Sequence, residues 1–405
     1  MLMTDTPTLR RVQCCIAGGG PAGMMLGYLL ARRGIEVVVL EKHADFLRDF
    51  RGDTLHPSTL EIIHQLGWLE EFLQLPHQRM ERLQAEMGGR EMTIADFTRL
   101  PTRCKFMAFM PQWDFLDFLQ RKALLLPNFT LLMETRVTAL RMDTAQRVTG
   151  VEAMTPQGAL QIESDLVVGC DGRHSTVRAL AGLSSRSFGA PRDVLWLKIP
   201  KQPDDPAWST GHRGPRKNFI MIDRGDYWQC GVSIDKGTLP ALQAAGLPAF
   251  LQQVAASAPF DAARLASAIT DWDQVKLLSI RIDRLDHWAR PGLLCIGDAA
   301  HAMSPIGGVG VNLAIQDAVA TANLLAAPLQ QGVPTLRQLT RVQRRRTFPT
   351  RATQFLQVMM TRRAGSNKRP PAPIRALGRW LRDRPWLPFL FGRLIGVGFR
   401  QELPK

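Results

Sequence analysis

The run Val12–Ala17 is mostly apolar and passes directly into Gly18-Gly19-Gly20-Pro21-Ala22-Gly23. A short apolar run ending in a glycine cluster predicts a buried strand and a tight turn. Pro21 suits the first position of a helix extending to Arg33, and Gly34 is placed to end it. The β-branched run Glu36–Leu40 follows, closed by Glu41. Strand, helix and strand in this order predict a βαβ opening and a parallel sheet.

Further along, residues 56–75 have helical spacing, 79–87, 90–95 and 105–110 read as short strands, and 112–126 is again helical. Strands are predicted at 129–133, 136–142, 147–155, 159–163 and 165–170, with Gly158 in a hairpin. From 190 to 286 the pattern changes. Strand candidates at 193–199, 217–223, 226–234 and 275–284 surround helical stretches near 238–257 and 260–268. A buried strand returns at Gly292–Gly297, before a long helix from Gly310 to Ala327. The expected fold class is α/β: a Rossmann-like domain with a parallel sheet, a β-rich substrate domain and a helical C-terminal tail. The expected boundaries are 1–75, 111–189 and 287–340 for the first, 76–110 and 190–286 for the second, and 341–405 for the basic tail.

A hydrophobic content of 45% and a charged content of 21% are those of a folded globular chain, which excludes disorder as the main state. The net charge of +15 suggests a nucleic-acid partner until its distribution is considered. Residues 341–405 hold 16 basic and 2 acidic side chains, so the first 340 residues are nearly neutral. Nucleic-acid binding is not expected. The tail reads as a basic helix packed on the body, with contact to a membrane surface as the alternative. Cys14, Cys15, Cys104, Cys170, Cys230 and Cys295 form no CxxC pair, and most sit in apolar runs. Reduced thiols and no metal site are expected. Neither a secretory signal nor a clean membrane-spanning run is visible, so the expected location is cytoplasmic, peripheral membrane contact being the variant.

Candidate chemistry concentrates in three places. In Gly18-x-Gly20-x-x-Gly23 the first glycine allows the turn, the second lets a pyrophosphate reach the backbone, and the third lets helix and strand pack closely. The free N–H groups at the helix start favour an anion. Glu41 lies 23 residues after Gly18, where a carboxylate accepts hydrogen bonds from a ribose. It would repel a 2′-phosphate, which favours FAD or NAD over NADP there. The second place, Gly169–Arg178, reads on its own as a strand entering a helix capped by Ser175. The third is Gly297-Asp298-Ala299-Ala300-His301, continued by Pro305, Gly307, Gly308, Gly310, Asn312 and Asp317. It joins a strand-end acid to a glycine-rich turn and a second helix start, whose amides suit a planar, electron-rich group.

Together these motifs resemble the aromatic-hydroxylase branch of the FAD-dependent monooxygenases, the p-hydroxybenzoate hydroxylase-like family, over most of residues 11–330. The resemblance implies FAD as cofactor, NAD(P)H as transient co-substrate, and dioxygen and a small organic molecule as substrates. It implies that Gly18, Gly20, Pro21, Ala22 and Gly23 hold the pyrophosphate. Glu41, with Lys42 beside it, would hold the adenosine ribose, and Val137 would meet adenine. Asp171 is associated with both FAD and NAD(P)H, and Gly297 and Asp298 with the ribityl chain. Pro305, Gly310, Val311 and Asn312 belong to the isoalloxazine. Arg51 and Gln112 resemble the family's arginine and helix-opening glutamine that touch FAD.

The implied reaction passes one oxygen atom from a flavin C4a-hydroperoxide to an aromatic, quinone-like or polyketide-like substrate. His56, Tyr227 and Pro305 are candidate pocket residues, while His301 reads as a hydrogen-bonded turn residue. No second glycine fingerprint follows another strand. Leu195 and Leu197 stand where flavin halogenases carry tryptophans, which argues against halogenation. Two other readings use the same fold: a flavin reductase or dehydrogenase acting on a lipid-like molecule, and a non-catalytic flavin-binding redox sensor.

Overall fold

The computed structural model describes residues 8–47, 54–86, 91–205, 211–213, 218–364 and 384–405. Its larger sheet has the order β19 (Ala289–Arg290), β20 (Leu293–Cys295), β11 (Gly158–Gly169), β1 (Thr8–Ala17), β2 (Val37–Leu40) and β8 (Phe129–Leu132). From β20 to β8 every neighbouring pair is parallel. β9 (Arg136–Met142) and β10 (Val148–Thr155) extend β11 as an antiparallel meander. Val37–Leu40 are all buried, the pattern of a strand covered on both faces. α1 (Pro21–Ala31) packs between this sheet and two further helices, α4 (Gln112–Ala123) and α9 (Val309–Gln331).

The two strands expected at 159–163 and 165–170 form the single strand β11. Its first half lies between β1 and β10 and is mostly half-buried, whereas Leu166–Gly169, flanked by β1 and β20, are all buried. The polar residues Glu163, Ser164 and Asp165 therefore mark a change of surroundings, not a break.

A second sheet has the order β17 (Lys276–Leu278), β13 (Arg192–Pro200), β16 (Tyr227–Asp235), β15 (Asn218–Asp223), β14 (Gly211–Arg213), β5 (Arg82–Glu86) and β6 (Glu91–Asp96). One face presents Leu195, Leu197, Trp228, Cys230 and Val232 to α7 (Leu247–Ala255) and α8 (Ala262–Ala268). The helix expected over 238–257 is two, α6 (Leu239–Ala244) and α7, because the chain turns at Gly246 with φ +90°. The strand expected over 275–284 is likewise divided, into β17 and β18 (Asp283–Leu285), the latter pairing with β12 (Ser185–Ser187). β3 (Thr54–Leu55), β7 (Met107–Phe109) and β4 (Gln78–Met80) form a small sheet, with α2 (Pro57–Gln65) and α3 (Leu69–Phe72) following β3 and α5 (Thr176–Leu180) following β11.

The C-terminal region is integral to the body. α10 (Leu336–Ala364) runs against α9, and α11 (Leu387–Gly396) packs on β6 so closely that a β-carbon on Gly392 would lie 1.9 Å from the Asp96 carbonyl oxygen. Arg33 donates to the Lys405 carbonyl at 2.7 Å, and Asn323 to that of Leu403 at 2.9 Å. Deeper in, the fully buried Asp317 carboxylate accepts hydrogen bonds from Arg346 Nε at 2.8 Å and the Gly297 amide at 3.1 Å, and its Oδ2 is 2.5 Å from His301 Nε2. Arg346 also lies 3.7 Å from Glu402, which pairs with Arg345 at 2.6 Å. Burial pushes the Asp317 pKa upward, but His301 and Arg346 outweigh it and hold the carboxyl below its ordinary value.

Candidate active site

Parallel strands that share a direction deliver their ends to one edge. Here β2, β1, β11 and β20 bring Glu41, Gly18, Asp171 and Gly297 to the same carboxyl edge of the larger sheet. Backbone bonds continue the ladder into the turns, from Gly18 N to Leu40 O at 2.7 Å, Cys170 N to Ala17 O at 2.7 Å, and Ile296 N to Gly169 O at 3.0 Å. The chain leaves β1 toward β2 on one side and has β11 on the other. That is a topological switch point, where open α/β sheets place their ligands.

The turns touch. Gly18 adopts φ +107°, and a β-carbon on it would lie 2.5 Å from the Cys170 carbonyl oxygen. One on Gly23 would lie 1.9 Å from Gly18 O, and one on Gly297 only 3.4 Å from the Ala22 β-carbon. Gly20 is different. It precedes Pro21 at the N-terminus of α1, has ordinary φ −73°, and has no atom within 4 Å of its β-carbon position. Open space in front of unpaired helix amides is what a phosphate requires. Glu41 is buried, its Oε2 accepting from Gly19 N at 2.9 Å and its Oε1 from His43 N at 3.2 Å. Thr135 N donates to Glu41 O at 2.8 Å, which brings the start of β9 and the buried Val137 to this end, while Lys42 is exposed.

Asp171 has a local task as well. Its carboxylate accepts from Ser175 Oγ at 2.5 Å and Val177 N at 3.0 Å, so its side chain caps α5 and its backbone lines the Gly18 turn. Asp298 is half-buried in the turn after β20. Gln112 opens α4. Because β7 runs antiparallel to β3, Gln112 follows the end of β7 that faces the start of β3. Arg51 lies outside the described residues.

The start of α9 forms the other half of the site. Gly307 and Gly308 have φ of +77° and +63°, and a β-carbon on Gly308 would meet Thr54 Oγ1 at 1.8 Å. The Asn312 side chain is spent on this joint: Oδ1 accepts from His56 N at 2.8 Å and Thr59 Oγ1 at 2.6 Å, and Nδ2 donates to Thr54 O and Gly308 O, both at 3.0 Å. What the helix start retains for a ligand is its first-turn amides. Pro305 is exposed and residues 306–311 are half-buried, in contrast to the buried body of the helix.

His56 is only 1% exposed, with Nδ1 2.7 Å from Ile395 O. Burial drives its pKa down to about 4 against backbone contacts with Ile395 and Gly307, so it is neutral at physiological pH. Tyr227 lies in the second sheet opposite Pro200, under the Lys198 ammonium at 4.1 Å. His56 and Pro305 thus share the α9 end, and Tyr227 belongs to another layer.

Two residues escaped the sequence reading. Gln357 donates to Ser304 O at 2.9 Å and Ile306 O at 3.1 Å and accepts from Ser304 N at 3.1 Å, while Gln354 donates to Ala302 O at 2.9 Å. They clamp the loop that carries Pro305. Their only signal was a pair of glutamines three apart on one helical face. Among the described residues no cluster of three metal-ligating side chains occurs.

A glycine turn at the switch point and a second free helix start on the same edge define a dinucleotide-binding α/β protein. The chain belongs to the FAD binding domain family, whose model matches residues 11–356. It is 33% identical over 371 residues to 6-methylpretetramide 4-monooxygenase of Streptomyces rimosus, covering 91% of this chain and 88% of that protein. It is 31% identical over 337 residues to rifampicin monooxygenase of Streptomyces venezuelae, covering 79% and 65%. The solved structure of the OxyS anhydrotetracycline hydroxylase from Streptomyces rimosus shares the fold, with a TM-score of 0.76 at 24% identity over 95% of this chain and 76% of that one. The chain is an FAD-dependent monooxygenase of the aromatic-hydroxylase type. The open approach at Gly20 and the half-exposed first turn of α9 fit that cofactor.

Two outcomes are expected. Gly20→Val has room in the folded chain but not beside a phosphate, so the variant should purify folded and colourless, while Gly23→Val should fail to fold; absorbance at the flavin band and circular dichroism read the two effects apart. For His56, the folded pKa of about 4 lies below the unfolded 6.5, so its stabilising neutral form is fully effective above pH 6.5 and lost as pH falls toward 4. Unfolding free energies from urea titrations should fall more steeply over that window for the wild type than for His56→Asn, by up to roughly 3 kcal/mol. Identical slopes would show that the histidine is not held neutral.

Proposed function

We propose that the chain hydroxylates a polycyclic, polyketide-like aromatic substrate in the cytoplasm, with NAD(P)H as reductant and dioxygen as the oxygen source. Relatives named for 6-methylpretetramide, rifampicin and anhydrotetracycline support that substrate class. The observation that carries the reading is the convergence of the Gly18 and Gly297 turns with the open start of α9 on one sheet edge. In this reading residues 1–75, 111–189 and 287–340 form the FAD-binding domain, and 76–110 with 190–286 form the substrate domain.

Bound FAD would supply the redox chemistry, accepting a hydride from NAD(P)H and activating dioxygen. The protein's own residues bind and orient. The amides between Gly18 and Gly23 would receive the pyrophosphate, Glu41 and Val137 the adenosine end, and Asp298 the ribityl hydroxyls. The first-turn amides of α9, from Val309 to Asn312, would face the pyrimidine edge, where the helix dipole stabilises negative charge. Gln354 and Gln357 fix the loop beside it. The apolar cluster of Phe97, Met107, Phe109, Ile222 and Ile395, which meets His56 through the Ile395 carbonyl, would help exclude water from the reacting atoms.

The test is turnover of a polycyclic phenol under ¹⁸O-labelled dioxygen. One labelled oxygen in each product molecule, with stoichiometric NAD(P)H consumption, is the expected result. Product formed without label would overturn the proposal and select the reductase or dehydrogenase reading.

A further inference from the structure

We infer that the outward face of α10 is a docking surface for an anionic lipid bilayer. A helix packed on a globular body normally turns its apolar side inward. Along its second half α10 does the reverse. Arg346, Thr350, Thr353, Gln354 and Gln357 are buried, and Arg346, Gln354 and Gln357 are hydrogen-bonded to the body. Phe348, Phe355, Met359 and Met360 are exposed by 56%, 63%, 44% and 54%. At 3.6 residues per turn Phe348, Phe355 and Met359 fall on one stripe, and the exposed Arg337, Arg341, Arg344 and Arg351 lie along the same side. An outward apolar stripe of this size marks an interaction surface.

Charge identifies the occupant. The helix Leu336–Ala364 contains eight arginines and no acid. Arg345 and Arg346 are neutralised by Glu402 and Asp317, whereas Arg337, Arg341, Arg344 and Arg351 have no carboxylate within ion-pair distance among the described residues. A second copy meeting this face by two-fold symmetry would set arginine against arginine. An anionic headgroup layer complements the arginines while the phenylalanines and methionines enter the acyl boundary, the mode of helices that lie in a bilayer surface. The C-terminal segment reaches the same helix, with Phe399 edge-on to Phe348 at 5.8 Å. Since Gln354 and Gln357 on the opposite side grip the loop at 302–306, a docked α10 would hold the flavin site one helix diameter from the lipid. That position suits capture of an apolar substrate dissolved in the membrane.

The experiment is flotation of the FAD-loaded protein with vesicles of phosphatidylcholine, alone or with one-third phosphatidylglycerol. Flotation with the anionic vesicles only, reversed by high salt, is expected. Arg341→Glu with Arg344→Glu should lower partitioning by roughly tenfold or more. Phe355→Ser with Met359→Ser should lower it comparably, with flavin content and NAD(P)H oxidation in solution unchanged. Absence of flotation, or equal flotation of the variants, would overturn the inference. So would a dimer in sedimentation that Phe355→Ser dissolves, which would make this face a contact between copies.

Discussion

The site depends on a shortage of space. Where β1, β11 and β20 end, the chain crosses itself closely: Gly18 against the Cys170 carbonyl and Gly23 against Gly18 leave no volume for a side chain, and Gly297, at φ +58°, packs on Ala314 and Ala22. Parallel strands at normal spacing bring three turns to one edge, and glycine at each crossing lets the turns close on one another. The result is a continuous rim of backbone amides at the carboxyl edge. Gly20 stands out because its β-carbon position is empty, although neither its φ nor its packing demands glycine. The protein interior gives no reason for that glycine; the approach of a phosphate, as proposed above, would.

A second constraint ties this rim to the far end of the sequence. The Gly297 amide is fixed by Asp317, Asp317 by Arg346, and Arg346 by its approach to Glu402. Each charge in the chain is buried and paired, so removing one would strand another in a low-dielectric interior. Glu402 is further held through its amide by the Gln316 side chain. The last residues are therefore part of what positions the Gly297 turn, and α10 links the 302–306 loop on its inner side to an arginine-rich surface on its outer side.

Much of this was legible from local pattern. The βαβ opening, the strand-end position of Glu41 and the long helix after residue 308 follow from apolar runs meeting glycine turns, signals that act over a few residues. The Asp171 turn was legible as a capped helix start, and its hydrogen bonds to Ser175 and Val177 are those of a cap. What the sequence concealed was long-range partnership. Arg346 meets Asp317 and Glu402, 29 and 56 positions away, and nothing near any of them announces the others. Gln354 and Gln357 carry no local sign of their role, yet they lie on the buried side of a basic helix. Composition records how polar a helix is, and only packing decides which way it faces.

The central claim is that the Gly18 and Gly297 turns grip opposite halves of one FAD molecule. A crystal structure of the yellow holoprotein tests it most directly. The account requires the pyrophosphate at the amides beside Gly20 and the pyrimidine edge of the isoalloxazine within hydrogen-bond distance of the Val311 and Asn312 amides. Electron density placing the cofactor on only one of the two turns, or away from this sheet edge, would contradict it.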